Sequence, residues 1–169
     1  NNNNNNNNRK RAPVDMNNNK DGNLLLKIEE SQDAFQLSNI VRISPHLFAT
    51  DDTSKALLDK VRALVSEMGN SNISGLLNAL STQRLTNGRK KQAHHKVVTI
   101  LADASKNEMK NFDARQIATT VNALAKSKYR DTKLFDKAAG RAVTIIDTFN
   151  AQGLAITVNA FSRMRHRHR

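Results

Sequence analysis

Phe112-Asp113-Ala114-Arg115-Gln116-Ile117-Ala118-Thr119-Thr120-Val121-Asn122-Ala123-Leu124-Ala125 returns 37 residues later as Phe149-Asn150-Ala151-Gln152-Gly153-Leu154-Ala155-Ile156-Thr157-Val158-Asn159-Ala160-Phe161-Ser162. The two stretches superpose without a gap. Ile73-Ser74-Gly75-Leu76-Leu77-Asn78-Ala79-Leu80-Ser81 fits the same frame, and Leu37-Ser38-Asn39-Ile40-Val41-Arg42-Ile43-Ser44 fits it more loosely. With Arg42, Asn78, Asn122 and Asn159 as markers, the steps are 36, 44 and 37 residues. A period in the high thirties is that of a two-helix repeat. The longer middle step coincides with Thr86-Asn87-Gly88-Arg89-Lys90-Lys91, a loop by composition.

Each marker segment reads as a helix with a defined start. Asp113 is a good N-cap and Gln116 follows three positions later, as a capping box requires. Phe112 before the cap and Ile117 at the fourth helical position form a hydrophobic staple. Phe149, Asn150 and Leu154 repeat the staple, and Asp33 with Gln36 repeats the box. Between markers the spacing i, i+3, i+4, i+7 predicts a second amphipathic helix. Its apolar positions are Leu57, Leu58, Val61, Leu64, Val65 and Met68 in the first repeat, and Val97, Val98, Ile100 and Leu101 in the second. In the third they are Leu134, Phe135, Ala138, Ala139, Ala142, Val143 and Ile146. No stretch alternates with the period of a strand. The expected fold is all-α: a solenoid of about three and a half helical hairpins over residues 29–169, the fourth lacking its second helix. Residues 1–28, with eight leading asparagines and a further run at Asn17–Asn19, bury too little to offset ordering entropy. They are expected to be a disordered, low-complexity linker. The ends, with no initiator Met and with Arg163-Met164-Arg165-His166-Arg167-His168-Arg169 stopping inside a helical pattern, read as those of a piece of a longer protein.

The 169 residues hold 27 Lys and Arg against 15 Asp and Glu, no Cys, no Trp and 4% aromatic residues. Without Cys there is no disulfide framework, Cys-based zinc site or thiol nucleophile. No apolar run approaches the roughly 20 residues of a membrane span. A net charge of +12 points to a polyanionic partner, most often nucleic acid. Few aromatic residues argue against modules that stack bases on Phe or Tyr. The charge is uneven: +3 over residues 1–28, −3 over 29–81 and +12 over 82–169. Such concentration suggests a binding surface in the second half. The cluster Arg9-Lys10-Arg11 reads as a localisation signal or an RNA-touching arm.

The pattern Phe-x-x-Gln-x-[Ile/Leu]-Ala-x-Thr-Val-Asn-Ala-[Leu/Phe]-[Ala/Ser]-[Lys/Arg] resembles the first helix of octotricopeptide and heptatricopeptide repeats of organellar RNA-binding proteins. It is also similar to the helical region of FAST-kinase-like proteins and of RNA-editing substrate-binding complex subunits. The resemblance covers roughly residues 33–169. Many relatives carry a Trp in the slot held here by Asn78, Asn122 and Asn159, and many end in a small RAP domain, which this stretch does not contain. The resemblance implies single-stranded RNA as partner, a mitochondrial or plastid location, and work in transcript processing, stability or translation. A second implication is a protein-interaction solenoid that scaffolds a ribosomal or RNA-editing assembly.

If a first helix packs through Ile117, Val121 and Leu124, steps of 100° place Arg115, Thr119, Asn122 and Lys126 on the opposite side. The equivalent sets are Gln152, Ile156, Asn159 and Arg163; Ser71, Gly75, Asn78 and Thr82; and Phe35, Asn39, Arg42 and His46. Amides and hydroxyls in such a stripe can read base edges while Arg or Lys holds phosphate. For Asn78, Asn122 and Asn159 the structural reading, a bond to the neighbouring hairpin's backbone, is the stronger one, because an Asn at a fixed place in every repeat suits packing better than the reading of a variable base. The varying slot Gly75, Thr119 and Ile156 suits base selection better. Arg89, Lys90 and Lys91 are expected on one edge with Lys126, Lys128, Arg130, Arg163 and Arg165, either as a phosphate track or as solvated turns. Ala79, Ala123 and Ala160 read as packing residues. Adjacent His94 and His95 diverge by about 100° on a helix and cannot chelate one ion together. No metal, cofactor, small-molecule substrate or catalytic role is expected of this segment.

Overall fold

A computed structural model describes residues 16–44, 46–83, 85 and 88–165, with backbone alone over 16–21. Among the described residues there are eight α-helices and no strand. They are α1 (Met16–Glu30), α2 (Ala34–Ile43), α3 (Asp51–Leu64), α4 (Asn70–Ser81), α5 (Gly88–Glu108), α6 (Ala114–Lys126), α7 (Thr132–Thr144) and α8 (Ala151–Met164). The all-α repeat architecture is as the periodicity predicts. The helices stack in two layers. α2, α4, α6 and α8 pack successively in one layer, and α1, α3, α5 and α7 pack successively in the other.

Capping explains the sharp starts of the first-layer helices. Asp113 Oδ1 accepts from the Gln116 amide at 2.7 Å, and Gln116 Oε1 accepts from the Asp113 amide at 3.1 Å, which completes the expected box. Asn150 Oδ1 accepts from the Gly153 amide at 2.7 Å, and Asp33 Oδ1 accepts from the Gln36 amide at 2.8 Å. Phe112 and Ile117 are both fully buried. Leu154, in the matching staple, is 40% exposed.

The joint between layers also repeats. Each of α3, α5 and α7 runs into a 3-10 turn, at Val65–Glu67, Met109–Asn111 and Ile146–Thr148. An extended apolar residue follows each turn: Met68, Phe112 and Phe149. Long basic side chains tie these joints to the next hairpin. Lys60 Nζ donates to the Glu29 and Ser31 carbonyls at 2.7 and 3.1 Å, and Arg141 Nε donates to the Phe112 carbonyl at 3.0 Å. Lys137 Nζ reaches the Lys106 carbonyl at 3.1 Å. Such cations satisfy carbonyls that a helix end leaves without internal partners.

Three expectations need correction. The sequence predicts a linker over residues 1–28, but α1 begins at Met16 and packs along α3 in the position of a preceding hairpin's second helix. Ile28 is fully buried and Leu24 and Leu25 are partly so, which is what ordering this segment requires. The asparagine tract, Arg9-Lys10-Arg11 and the tail with His166 and His168 lie outside the described residues. Composition predicts a loop over residues 86–91, yet Gly88, Arg89, Lys90 and Lys91 are the first turn of α5. α5 has 21 residues where α7 has 13, so the long step lengthens a helix by about two turns. Helical spacing places Val143 and Ile146 on the packed face, yet they are 67% and 45% exposed. Among the described residues no second-layer helix follows α7 to cover them.

Candidate nucleic-acid interface

The first-layer helices bury one side and present the other as the 3.6-residue period dictates. In α6, Ile117, Val121 and Leu124 are fully buried, and Ala118, Ala123 and Ala125 pack with them. Arg115 and Lys126 are exposed, and Thr119 and Asn122 are half-exposed. In α8, Gln152, Asn159 and Arg163 are exposed and Ile156 is half-buried. In α4, Ser71, Gly75, Asn78 and Thr82 are exposed. The predicted face is therefore outward in every repeat. Ala79, Ala123 and Ala160 are buried, so they serve packing, as expected.

A groove of about 470 Å³ opens along α6 and α8, within the ~300–1,000 Å³ of ordinary ligand sites. It collects Asn78, Arg115, Thr119, Asn122, Gln152 and Ile156 from three repeats, together with Phe149 and Asn150 at its end. Stacking thus brings six stripe residues, five of them amide, hydroxyl or guanidinium side chains, to one place. The amides at the repeated position are not engaged by the fold. Among the described residues the side chains of Asn78, Asn122 and Asn159 make no hydrogen bond, so the alternative of a bond to the neighbouring hairpin's backbone is not realised. A side-chain bond between neighbouring hairpins lies six residues earlier, where Gln116 Nε2 donates to Ser71 Oγ at 3.0 Å and bridges α6 to α4. Asn159 and Arg163 lie farther along α8 and do not line the groove.

The sequence holds a charge signal that periodicity alone does not bring out. None of α2, α4, α6 and α8 contains an Asp or Glu, whereas α1, α3, α5 and α7 all do. Ion pairs follow the same division. Arg62 pairs with Asp59, Arg89 with Asp51, and Lys106 with Asp103 and Asp131, all on second-layer helices or the cap of α7. The Lys106 ammonium is held well above its usual range by Asp103 and then Asp131. Desolvation acts to raise Asp131, but the Lys106 ammonium and the Leu134 amide outweigh it and hold the carboxyl low. Arg115, Lys126 and Arg163 have no ion pair among the described residues. Their charges remain available to an outside anion.

The basic edge is split by the structure. Lys91, Lys126 and Lys128 meet in one cavity between the ends of α4 and α6 and the start of α5. Arg89 and Lys90 do not join them. They line a separate hollow with Phe48, Asp51 and Ser54, where Arg89 approaches Asp51 at 3.8 Å. The reason is the helical start of α5: three successive residues point about 100° apart and cannot share an edge. His94 is buried beneath this turn with Nε2 3.1 Å from the Leu80 carbonyl, and the Phe48 ring lies edge-on at 5.5 Å. Because a carbonyl only accepts, Nε2 carries the proton. Burial lowers the His94 pKa, the Leu80 bond opposes this, and neighbouring His95 lowers it further. His95 instead lies against the Tyr129 ring at 5.5 Å.

No curated protein matches the chain. Residues 96–169, which run from the middle of α5 to the end and include both of the clearest repeats, match the family model of the RNA-editing substrate-binding complex 6 protein.

Proposed function

We propose that this chain binds single-stranded RNA along the outward stripe of its first-layer helices, as part of an RNA-editing assembly in the mitochondrion. The observation that carries the reading is the acid-free first layer, with Arg115, Lys126 and Arg163 unpaired beside amides that the fold leaves unused. Cations free of internal partners can replace the counterions of a polyanion, and amides can address base edges. The match of residues 96–169 to a component of an RNA-editing substrate-binding complex supports the same reading and favours mitochondrion over plastid. The third and fourth repeats, α6 to α8, are the main contact, and the segment contributes binding rather than catalysis. Nucleotides would run past Arg115, Thr119 and Asn122, with Gln152 and Ile156 across the groove and Asn78 at its rim.

Binding of a labelled single-stranded RNA, followed across a salt series, tests this directly. The log–log slope should be about −3 to −6. The triple variant Arg115→Ala, Lys126→Ala, Arg163→Ala should bind poorly. Wild-type affinity in that variant, or affinity indifferent to salt, would sink the reading. A scaffold role has one observation in its favour: Phe35 and Ile43 are 66% and 65% exposed on α2, in the part of the chain with net negative charge. Loss of partner-protein binding on Phe35→Ser with RNA affinity unchanged would assign that patch to protein contact.

A further inference from the structure

Lys128 has a left-handed backbone, φ 54, in the turn that closes α6. The turn is a Schellman closure, in which the Tyr129 amide bonds the Leu124 carbonyl at 2.9 Å and the Lys128 amide bonds the Ala125 carbonyl at 3.2 Å. Glycine is the residue this position favours, because a side chain there meets its own backbone. A lysine at a strained position points to a use for its side chain. That side chain lines a cavity with Lys91, Lys126, His95, Gln92 and Ser127, and no carboxylate lines it. Three ammonium groups, with amide and hydroxyl donors between them, supply what a phosphate's oxygens accept. α6 also connects the sites: Lys126 lies one turn beyond Asn122, about 6 Å along the axis, so both can be met by one strand.

We propose that this cavity is a dedicated phosphate site, which fixes one phosphate of the bound RNA while the groove beside α6 and α8 holds its bases. The identity of the ligand rests on the RNA reading given above, but the pocket's affinity for phosphate does not. A phosphate within the strand and a phosphate at the strand's end have the same chemistry at this site.

Two measurements judge it. Inorganic phosphate titrated into nitrogen-15-labelled protein at low salt should shift the amide signals of residues 91, 95 and 126–129 along one saturable curve. The same titration of Lys128→Gly, a variant that relieves backbone strain and should fold at least as well, should weaken the response by about threefold to tenfold. Shifts scattered over all surface lysines, or an undiminished response in Lys128→Gly, would overturn the site. RNA oligonucleotides carrying a 5′-hydroxyl or a 5′-phosphate then separate the two sources. An equal loss for both in Lys128→Gly assigns a phosphate within the strand, and a loss confined to the phosphorylated one assigns the end. Unchanged affinity for both overturns the RNA role of the pocket. Failure of the wild-type protein to bind any RNA overturns the function proposed above, whereas the phosphate titration still decides the pocket.

Discussion

Thr120 is fully buried in α6 and its hydroxyl has no hydrogen-bond partner. The matching Thr157 in α8 bonds the Gly153 carbonyl at 2.8 Å, and the matching residue in α4 is Leu76, fully buried. An unsatisfied buried hydroxyl costs about 1–3 kcal/mol against an apolar group of similar shape. Thr120→Val should therefore stabilise the protein by about 1 kcal/mol in urea unfolding, with no change in RNA affinity. Asn122→Ala, two residues on and about 200° round the helix, should behave in the opposite way. Its amide bonds nothing in the fold, so stability should move by less than about 0.5 kcal/mol. Preference among RNA sequences should shift by about 1 kcal/mol if the amide meets a base edge. An Asn122→Ala protein that loses stability while keeping its sequence preference would show the amide to be structural.

At the scale of the helix, basic residues divide into those that the fold engages and those that have no partner among the described residues. Lys60 of α3 holds two carbonyls at the end of α1, although its position on a second helix suggests a solvated cation. Lys60→Ala should cost about 1 kcal/mol of stability, while Arg62→Ala, whose partner Asp59 is an exposed neighbour at 3.6 Å, should stay within about 0.5 kcal/mol. Equal melting curves for the two variants would refute the joint. Lys126 belongs to the other class. Lys126→Ala should weaken all RNAs about equally and flatten the salt slope by roughly one unit, because a phosphate contact carries no base information. A selective loss, confined to particular sequences, would contradict a phosphate role.

Across the whole molecule, the buried imidazole of His94 links acid pH to unfolding. Its pKa in the fold lies below the ordinary 6.5, because desolvation and His95 disfavour the charged form. In the unfolded chain the group takes a proton near pH 6.5, and in the fold it does so only at lower pH. Stability is thus full above about pH 6.5 and declines as the pH falls toward the lowered value. Thermal unfolding between pH 7 and 5 should show that decline, and His94→Gln should reduce it while an amide donor can still reach the Leu80 carbonyl. Identical pH profiles for the two proteins would remove His94 as the cause. The separation of layers has a second consequence at this scale. Helix carboxylates are confined to the second layer, so an anion that approaches the first-layer helices meets none on them.

The 37-residue return of Phe112–Ala125 at Phe149–Ser162 was enough to determine an all-α repeat, its caps and its outward stripe, because these depend on local spacing and short-range hydrogen bonds. The stripe at Arg115, Thr119, Asn122 and Lys126 was legible for the same reason: a helix fixes which residues share a side. The ordering of α1 was not legible, since its few apolar residues gain only when α3 lies alongside them. Nor was the division of Arg89 and Lys90 from Lys91, which depends on where α5 begins. Only the tertiary structure decided that Asn78, Arg115 and Gln152, drawn from three repeats, meet in one groove. It alone showed that Lys60 and Arg141 are spent on carbonyls while Arg115 and Lys126 are not. Both outcomes turn on distances between residues far apart in the chain, which packing sets and local sequence does not encode.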